Sequence, residues 1–379
     1  MSWVVSQVIA GHYERDMSQR ALRRQVGQFA IVGFDGYTVP DELRMLTKEF
    51  DLGGVILFSR NIDSPTQVAE LTREVQSLRR DWPLWVSVDQ EGGRVARLRE
   101  PFTEWPAMQV LGRSRDANLA RRFASALASE LTTVGITLNY APVVDVHTNP
   151  KNPVIGDRAI SEEPAIVSSL GVSIIETFQT GGLAACAKHF PGHGDTSQDS
   201  HHELPILDID LACLDKRELV PFRAAIGADV ASIMTGHVLV RSIDEVRPAT
   251  LSRRVVHDLL RGKLNYGGLV VTDDMEMKAI TGRYGIEEAA VEAIGATVDL
   301  LLLCGTDTAR HAGVLEALIH AAEQGGLAMH ELENSLGRHR RVKEQYLTNV
   351  PVKPIKGRLD DWFGSKQSRM LAEEIAHYA

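Results

Sequence analysis

Leu183–His202 reads LAACAKHFPGHGDTSQDSHH, and it holds both halves of the pattern from which the fold follows. Its first part, Leu183–Phe190, is an almost unbroken apolar run of the length taken by a strand covered on both faces. Its second part brings Pro191, Gly192 and Gly194 close together, which no helix accommodates, so a loop rich in ionisable residues leaves the strand's end. The same pattern recurs in both directions. Upstream lie QFAIVGF (Gln28–Phe34), GGVILF (Gly53–Phe58), LWVSVD (Leu84–Asp89) and ITLNYAPVVDV (Ile136–Val146). Downstream lie ASIMTGH (Ala231–His237), GLVVTDD (Gly268–Asp274) and VDLLLLC (Val298–Cys304). Helical periodicity fills the intervals at Pro65–Arg80, with Ser64 as its N-cap, and at Asp116–Val134, Glu163–Gln179, Leu214–Ile226, Ser252–Leu264, Ile286–Ile294 and Thr308–Gln324.

Strands that alternate with helices in this way predict an α/β chain closed into a (β/α)8 TIM-type barrel. The rival, an open doubly wound sheet, calls for a glycine-rich phosphate turn after the first strand. That turn is Gly33–Pro40, GFDGYTVP, with no GxGxxG, and GxxxxGK[ST] occurs nowhere. No linker or repeat divides the chain. The expected organisation is a lead-in over 1–27, a single catalytic barrel over 28–349 and a tail over 350–379 lying along it.

The 379 residues carry 41 Lys and Arg against 50 Asp and Glu, a net charge of −9 that disfavours a nucleic-acid partner. No run nears the roughly 20 apolar residues of a membrane span. Cys186, Cys213 and Cys304 are too few for a disulfide framework and share no CxxC spacing. The opening MSWVVSQVIAGHYERD lacks a basic n-region and a cleavage site, so the expected compartment is the cytoplasm.

Barrel chemistry gathers where strands end. Here those ends are Asp89, Asp145, Lys188 with His189, His237, and the pair Asp273–Asp274, which suits a polar, hydroxyl-rich substrate. The loop after Lys188 adds His193, Asp195, Asp199, His201 and His202. These residues fit a metal site, or an Asp-x-His acid–base dyad; some of the histidines, His193 and His202 among them, equally fit a role of tying the loop to itself. In VTDD, neighbouring strand residues face opposite ways, so one acid faces the barrel mouth; a helix cap suits Asp274 better than Asp273. In Ser87–Leu98, SVDQEGGRVARL, Asp89 and Glu91 precede a Gly92–Gly93 turn with Arg94 and Arg97 beyond it, donors and acceptors that match sugar hydroxyls. In Asn152–Ser161, NPVIGDRAIS, the plain account of Arg158 is an ion pair with its neighbour Asp157.

Taken together, GGVILFSRN, VDQEGGRVARL, NPVIGDRAIS, KHFPGHGDTSQDSHHELP, MTGHV and VTDDMEM resemble glycoside hydrolase family 3, in particular its bacterial β-N-acetylglucosaminidases (β-N-acetylhexosaminidases) of peptidoglycan recycling. The resemblance runs from Gln28 to Gly305 of the 379 residues. It implies Asp273 as catalytic nucleophile, His201 as general acid/base with Asp199 as its dyad partner, and Asp89, Arg97, Arg158, Lys188, His189 and His237 around the non-reducing GlcNAc. An imidazole titrating near 6.5 can give a proton in one step and take one in the next, in place of the usual second carboxyl about 5–5.5 Å away. Lys188, Arg158 and His201 are then expected to hold Asp273 ionised over a locally cationic floor. No metal and no cofactor are called for. The implied partner is a GlcNAc-containing saccharide or muropeptide, bound by a monomer or weak homodimer. Three other readings stay open: a phosphorylase of the same family, a metal-dependent barrel hydrolase using His189, His193, Asp199, His201 and Asp273, and a barrel that binds without turnover.

Overall fold

The structure, a computed structural model, describes residues 20–197, 200, 203–348 and 362–379. Eight parallel strands close into a barrel: β1 (Ala30–Val32), β2 (Gly54–Leu57), β3 (Trp85–Val88), β4 (Leu138–Asn139), β5 (Ala184–Phe190), β7 (Ser232–Thr235), β9 (Leu269–Asp274) and β10 (Leu300–Leu303). The order around the barrel is β1-β10-β9-β7-β5-β4-β3-β2, and all eight fall inside the expected runs. Two short strands unforeseen in the sequence, β6 (Ile206–Leu207) and β8 (Leu239–Val240), pair with each other beside the mouth. The fourth strand is shorter than its run suggested, because Pro142, soon after Asn139, has no N–H to extend the ladder and the chain then bends away as the segment carrying Asp145.

Alternate residues explain the continuous apolar runs. On β10, Leu300 and Leu302 point into the barrel with Ile31, Ile56, Trp85, Leu138, Cys186, Met234 and Val271, while Leu301 and Leu303 pack outward under the helices. Around the barrel run α1 (Asp41–Phe50), α2 (Pro65–Ser77), α3 (Met108–Ser114), α4 (Ala117–Thr133), α5 (Pro164–Thr180), α6 (Leu219–Gly227), α7 (Ile286–Gly295) and α8 (Thr308–Glu323). Ser64 caps α2 as expected, accepting from the backbone N–H of Gln67. Two of the expected helices are wound more loosely, with π-helical turns over Leu214–Glu218 and Arg254–Lys263.

The end of the barrel away from the strand C-termini is closed by α9 (Met329–Leu347), whose Val342, Tyr346 and Leu347 join the interior cluster. Its sequence is too polar to advertise this. The buried face includes His339 and Lys343, and Lys343 is satisfied by bonds from Nζ to Gln28 Oε1 (2.7 Å) and Gly53 O (3.0 Å). Beyond it, α10 (Lys366–Ala376) packs on α3 and α4, with Arg122 and Glu374 in a two-bonded ion pair at 2.8 Å and Phe363 against Phe102.

Candidate active site

A cavity of about 450 Å³ opens at the strand C-termini, and its lining includes Asp89, Arg97, Asp273, Asp274, Glu276 and Cys304. Its deeper wall is apolar, formed by Ile56, Tyr140, Met234 and Leu302 from the barrel interior.

The polar side is a chain of buried ion pairs. Lys188, on β5, donates from Nζ to Asp89 Oδ1 at 2.8 Å and lies 2.7 Å from Glu91 Oε1. Glu91 in turn accepts from two of the three guanidinium nitrogens of Arg158, Nε at 2.9 Å and Nη2 at 2.8 Å. Arg97 approaches Asp89 at 3.5 Å and lays its guanidinium over the Phe58 ring. Burial opposes ionisation of Glu91, but the charges of Arg158 and Lys188 outweigh it and hold the carboxyl far below its ordinary range. Lys188 is likewise driven down by burial and more than recovered by Asp89 and Glu91, so its ammonium persists. The suggested pairing of Arg158 with Asp157 is not what forms: Asp157 takes Nε of Arg94 at 3.0 Å, which frees Arg158 to turn inward. Nor is the floor a cationic one, since Lys188 and Arg158 each face a carboxylate.

His189 follows Lys188 across a cis peptide bond. Its Nδ1 donates to Asp145 Oδ2 at 2.7 Å and its Nε2 lies 3.4 Å from an Arg158 nitrogen. Asp145, fully buried, also accepts from the backbone N–H of His189 and, at 2.7 Å, from that of His193. Burial raises its proton affinity, and His189 and His193 reverse that, leaving Asp145 ionised. Asp145 and Glu91 anchor these pairs, and the sequence did not show what they would hold. Both were visible, one as a strand end and the other inside DQEGG, but their partners lie 44 and 67 positions away.

Asp273 ends β9 and lines the cavity, and its Oδ1 accepts from the N–H of Asp274 at 2.8 Å. Burial disfavours its charge. The imidazoles of His189 and His237, that backbone N–H and then Lys188 overcome the burial and hold the carboxyl below the usual range. Of the expected cations, Lys188 contributes, while Arg158 is engaged by Glu91. His237 is buried just beyond β7, its Nε2 donating to the carbonyl of Asp274 at 2.9 Å and its Nδ1 2.8 Å from Thr250 Oγ1. Asp274 caps no helix. Its Oδ1 accepts from the N–H groups of Glu276 (3.0 Å) and Cys304 (3.2 Å), and burial together with the charges of Asp273 and Glu276 lifts its pKa to about 6.

Asp199, His201 and His202 lie outside the described residues. Their neighbours are held firmly: Asp195 by Arg217 at 2.6 Å, and Ser200 through its carbonyl by the N–H of Ala279 at 3.2 Å. Among the described residues no three His, Cys, Asp or Glu side chains gather as a metal would need. The ring nitrogens of His193 are taken by Thr196 and Ser200, and Nδ1 of His189 by Asp145.

A buried, ionised carboxylate at one strand end, with hydrogen-bonding acids and bases at four others, suits a polar, hydroxyl-bearing ligand, and sequence comparison names the family. The family model described as "Glycosyl hydrolase family 3 N terminal domain" matches residues 21–342. The chain belongs to glycoside hydrolase family 3. Such chains are enzymes, and this one carries the family's barrel over most of its length. It is 36% identical to "Beta-hexosaminidase A" of Pseudoalteromonas piscicida over 89% of this chain and 60% of that protein, so it is the shorter of the two by a wide margin. It is 34% identical to "Beta-hexosaminidase" of Nitrosomonas eutropha over 84% of this chain and 96% of that one. Among solved structures, a family 3 β-N-acetylglucosaminidase from Paenibacillus sp. str. FPU-7 superposes with a TM-score of 0.91 at 40% identity, covering 94% of this chain and 68% of that one. No helix among the described residues is long and apolar enough to cross a membrane.

Proposed function

We propose that this chain is a retaining exo-β-N-acetylglucosaminidase that removes non-reducing terminal GlcNAc from muropeptides of the GlcNAc-1,6-anhydroMurNAc type during cell-wall recycling in the cytoplasm. The observation that carries the reading is Asp273, a cavity-lining carboxylate kept ionised despite burial, next to the Asp89–Arg97 and Lys188–Glu91–Arg158 pairs. The similarity to proteins named β-hexosaminidase supports the sugar. The barrel over 28–349 is then the catalytic unit, with 350–379 an appended tail.

In the first step an Asp273 carboxylate oxygen attacks the anomeric carbon as the glycosidic C–O bond breaks, and His201, oriented by Asp199, delivers a proton to the departing oxygen. In the second, water adds to the anomeric carbon, gives its proton to His201, and displaces Asp273 as the free carboxylate. Asp89, Arg97, Lys188, His189 and Arg158 hold the sugar hydroxyls, and His237 steadies the backbone that bears the nucleophile.

The test is trapping with a fluorinated GlcNAc donor followed by peptide mass mapping, expected to label the peptide that holds Asp273. A label on any other residue overturns the assignment. Running the turnover with and without inorganic phosphate separates hydrolysis, which releases free GlcNAc throughout, from phosphorolysis, which would release GlcNAc-1-phosphate.

A further inference from the structure

His193 and Ser200 belong to the loop after β5, yet neither has a part in the chemistry above. The His193 ring is buried and fully engaged, with Nδ1 2.7 Å from Thr196 Oγ1 and Nε2 3.3 Å from Ser200 Oγ. Its carbonyl accepts from Asn152 Nδ2 at 2.7 Å, and its N–H donates to Asp145 at 2.7 Å. Burial, only partly opposed by the charge of Asp145, takes its pKa down to about 4, so the ring stays neutral at working pH. Whichever nitrogen then carries the proton, the other accepts from a hydroxyl, and both contacts persist. Ser200 is itself buried and is gripped from a second side by the N–H of Ala279. In sequence Ser200 stands between Asp199 and His201.

We infer that His193 is a positioning residue for the acid–base step: by holding the Ser200 hydroxyl it fixes the single residue that separates the two members of the dyad. The same carboxylate, Asp145, grips His189 on the sugar-binding side and the His193 backbone on the loop side, so sugar contacts and proton delivery share one anchor. The inference rests on the reading of Asp199 and His201 as the acid–base pair.

Leaving-group dependence tests it, because a dinitrophenolate departs without a proton and a sugar alcohol does not. Ser200→Ala removes one hydroxyl and no carbon framework, and His193→Asn shortens the side chain away from Ser200. Both are expected to lower kcat/KM for GlcNAc-β-1,4-GlcNAc by about 10-fold or more, with kcat/KM for 2,4-dinitrophenyl β-GlcNAc unchanged. Turnover of the latter, limited by the base-assisted second step, should slow and be restored by azide, with β-glycosyl azide as product. His193→Gln, whose amide reaches the position of Nε2, should keep wild-type behaviour, and the Ser200→Ala/His193→Asn pair should be no worse than either alone. His201→Ala serves as the reference. Equal losses on both substrates without azide rescue would overturn the positioning role. If His201→Ala shows the leaving-group signature and the other variants do not, the dyad stands and the positioning role falls. If His201→Ala lacks it, the dyad reading fails and this inference with it.

Discussion

Two neighbouring aspartates on one strand end have opposite proton affinities, and the cause is what each faces. Asp273 meets His189, His237 and Lys188, whereas Asp274 meets Asp273 and Glu276 with two backbone N–H groups as partial relief. Asp273→Asn should cost on the order of 10⁴-fold or more in kcat with little loss of thermal stability, since it removes chemistry and leaves packing intact; the melting curve and steady-state rates together check this. For Asp274, a folded pKa of about 6 against 3.8 in the unfolded chain means that the native state binds the extra proton between those values. Ionised Asp274 therefore disfavours the fold, fully so above pH 6. Asp274→Asn should raise stability at pH 8 by on the order of 2 kcal/mol, an advantage that shrinks as pH falls through 6 toward 3.8 in denaturant titrations. Glu91→Gln has the opposite sign. It strands Arg158 and Lys188 in a buried site, and the expected loss is about 3–5 kcal/mol of stability with a matching fall in kcat/KM.

At the scale of elements, the site depends on how closely the loop after β5 lies on the segment after β4. A Cβ at Gly194 would meet the carbonyl oxygen of Val146 at 1.9 Å, and one at Gly192, whose φ is +129°, would meet Glu218 Oε2 at 2.8 Å. Glu218 comes from the π-helical turn over Leu214–Glu218, which also presents Arg217 to Asp195 on that loop. Gly194→Ala should therefore push the loop off its seat, costing about 1–3 kcal/mol of stability and lowering kcat for unactivated substrates more than for dinitrophenyl ones. Retention of wild-type rates on both would contradict it. The glycines were legible as loop markers in PGHGD, but the element they lie against was not, because it is brought there by the barrel and not by the chain's local pattern.

For the molecule as a whole, a second cluster of buried ion pairs closes the end opposite the site. Asp299, just before β10 and fully buried, accepts from Arg261, Arg338 (2.8 Å) and Ser335 (2.6 Å), which ties α9 and the π-helical segment Arg254–Lys263 to the barrel. Burial works against its charge and the two arginines overcome it, bringing its pKa to about 2. A depressed carboxyl stabilises fully above its unfolded value of 3.8 and loses that contribution as pH falls through 2. Asp299→Asn should thus lower the melting temperature at pH 7, by an amount equivalent to about 3–5 kcal/mol, while leaving KM unchanged, since the cavity lies at the far end. The sequence by itself determined the barrel and which ionisable residues stand at its strand ends, because strand periodicity, helix spacing and the residues that close each strand are local properties that survive without knowledge of neighbours. It could not determine that Arg158 would choose Glu91 over adjacent Asp157, that Asp145 would serve two histidines, or that a helix as polar as α9 would plug the barrel. Those outcomes were decided by the tertiary structure, for a charged side chain goes where burial leaves it a partner, and closure of the barrel brings that partner from 67 residues away.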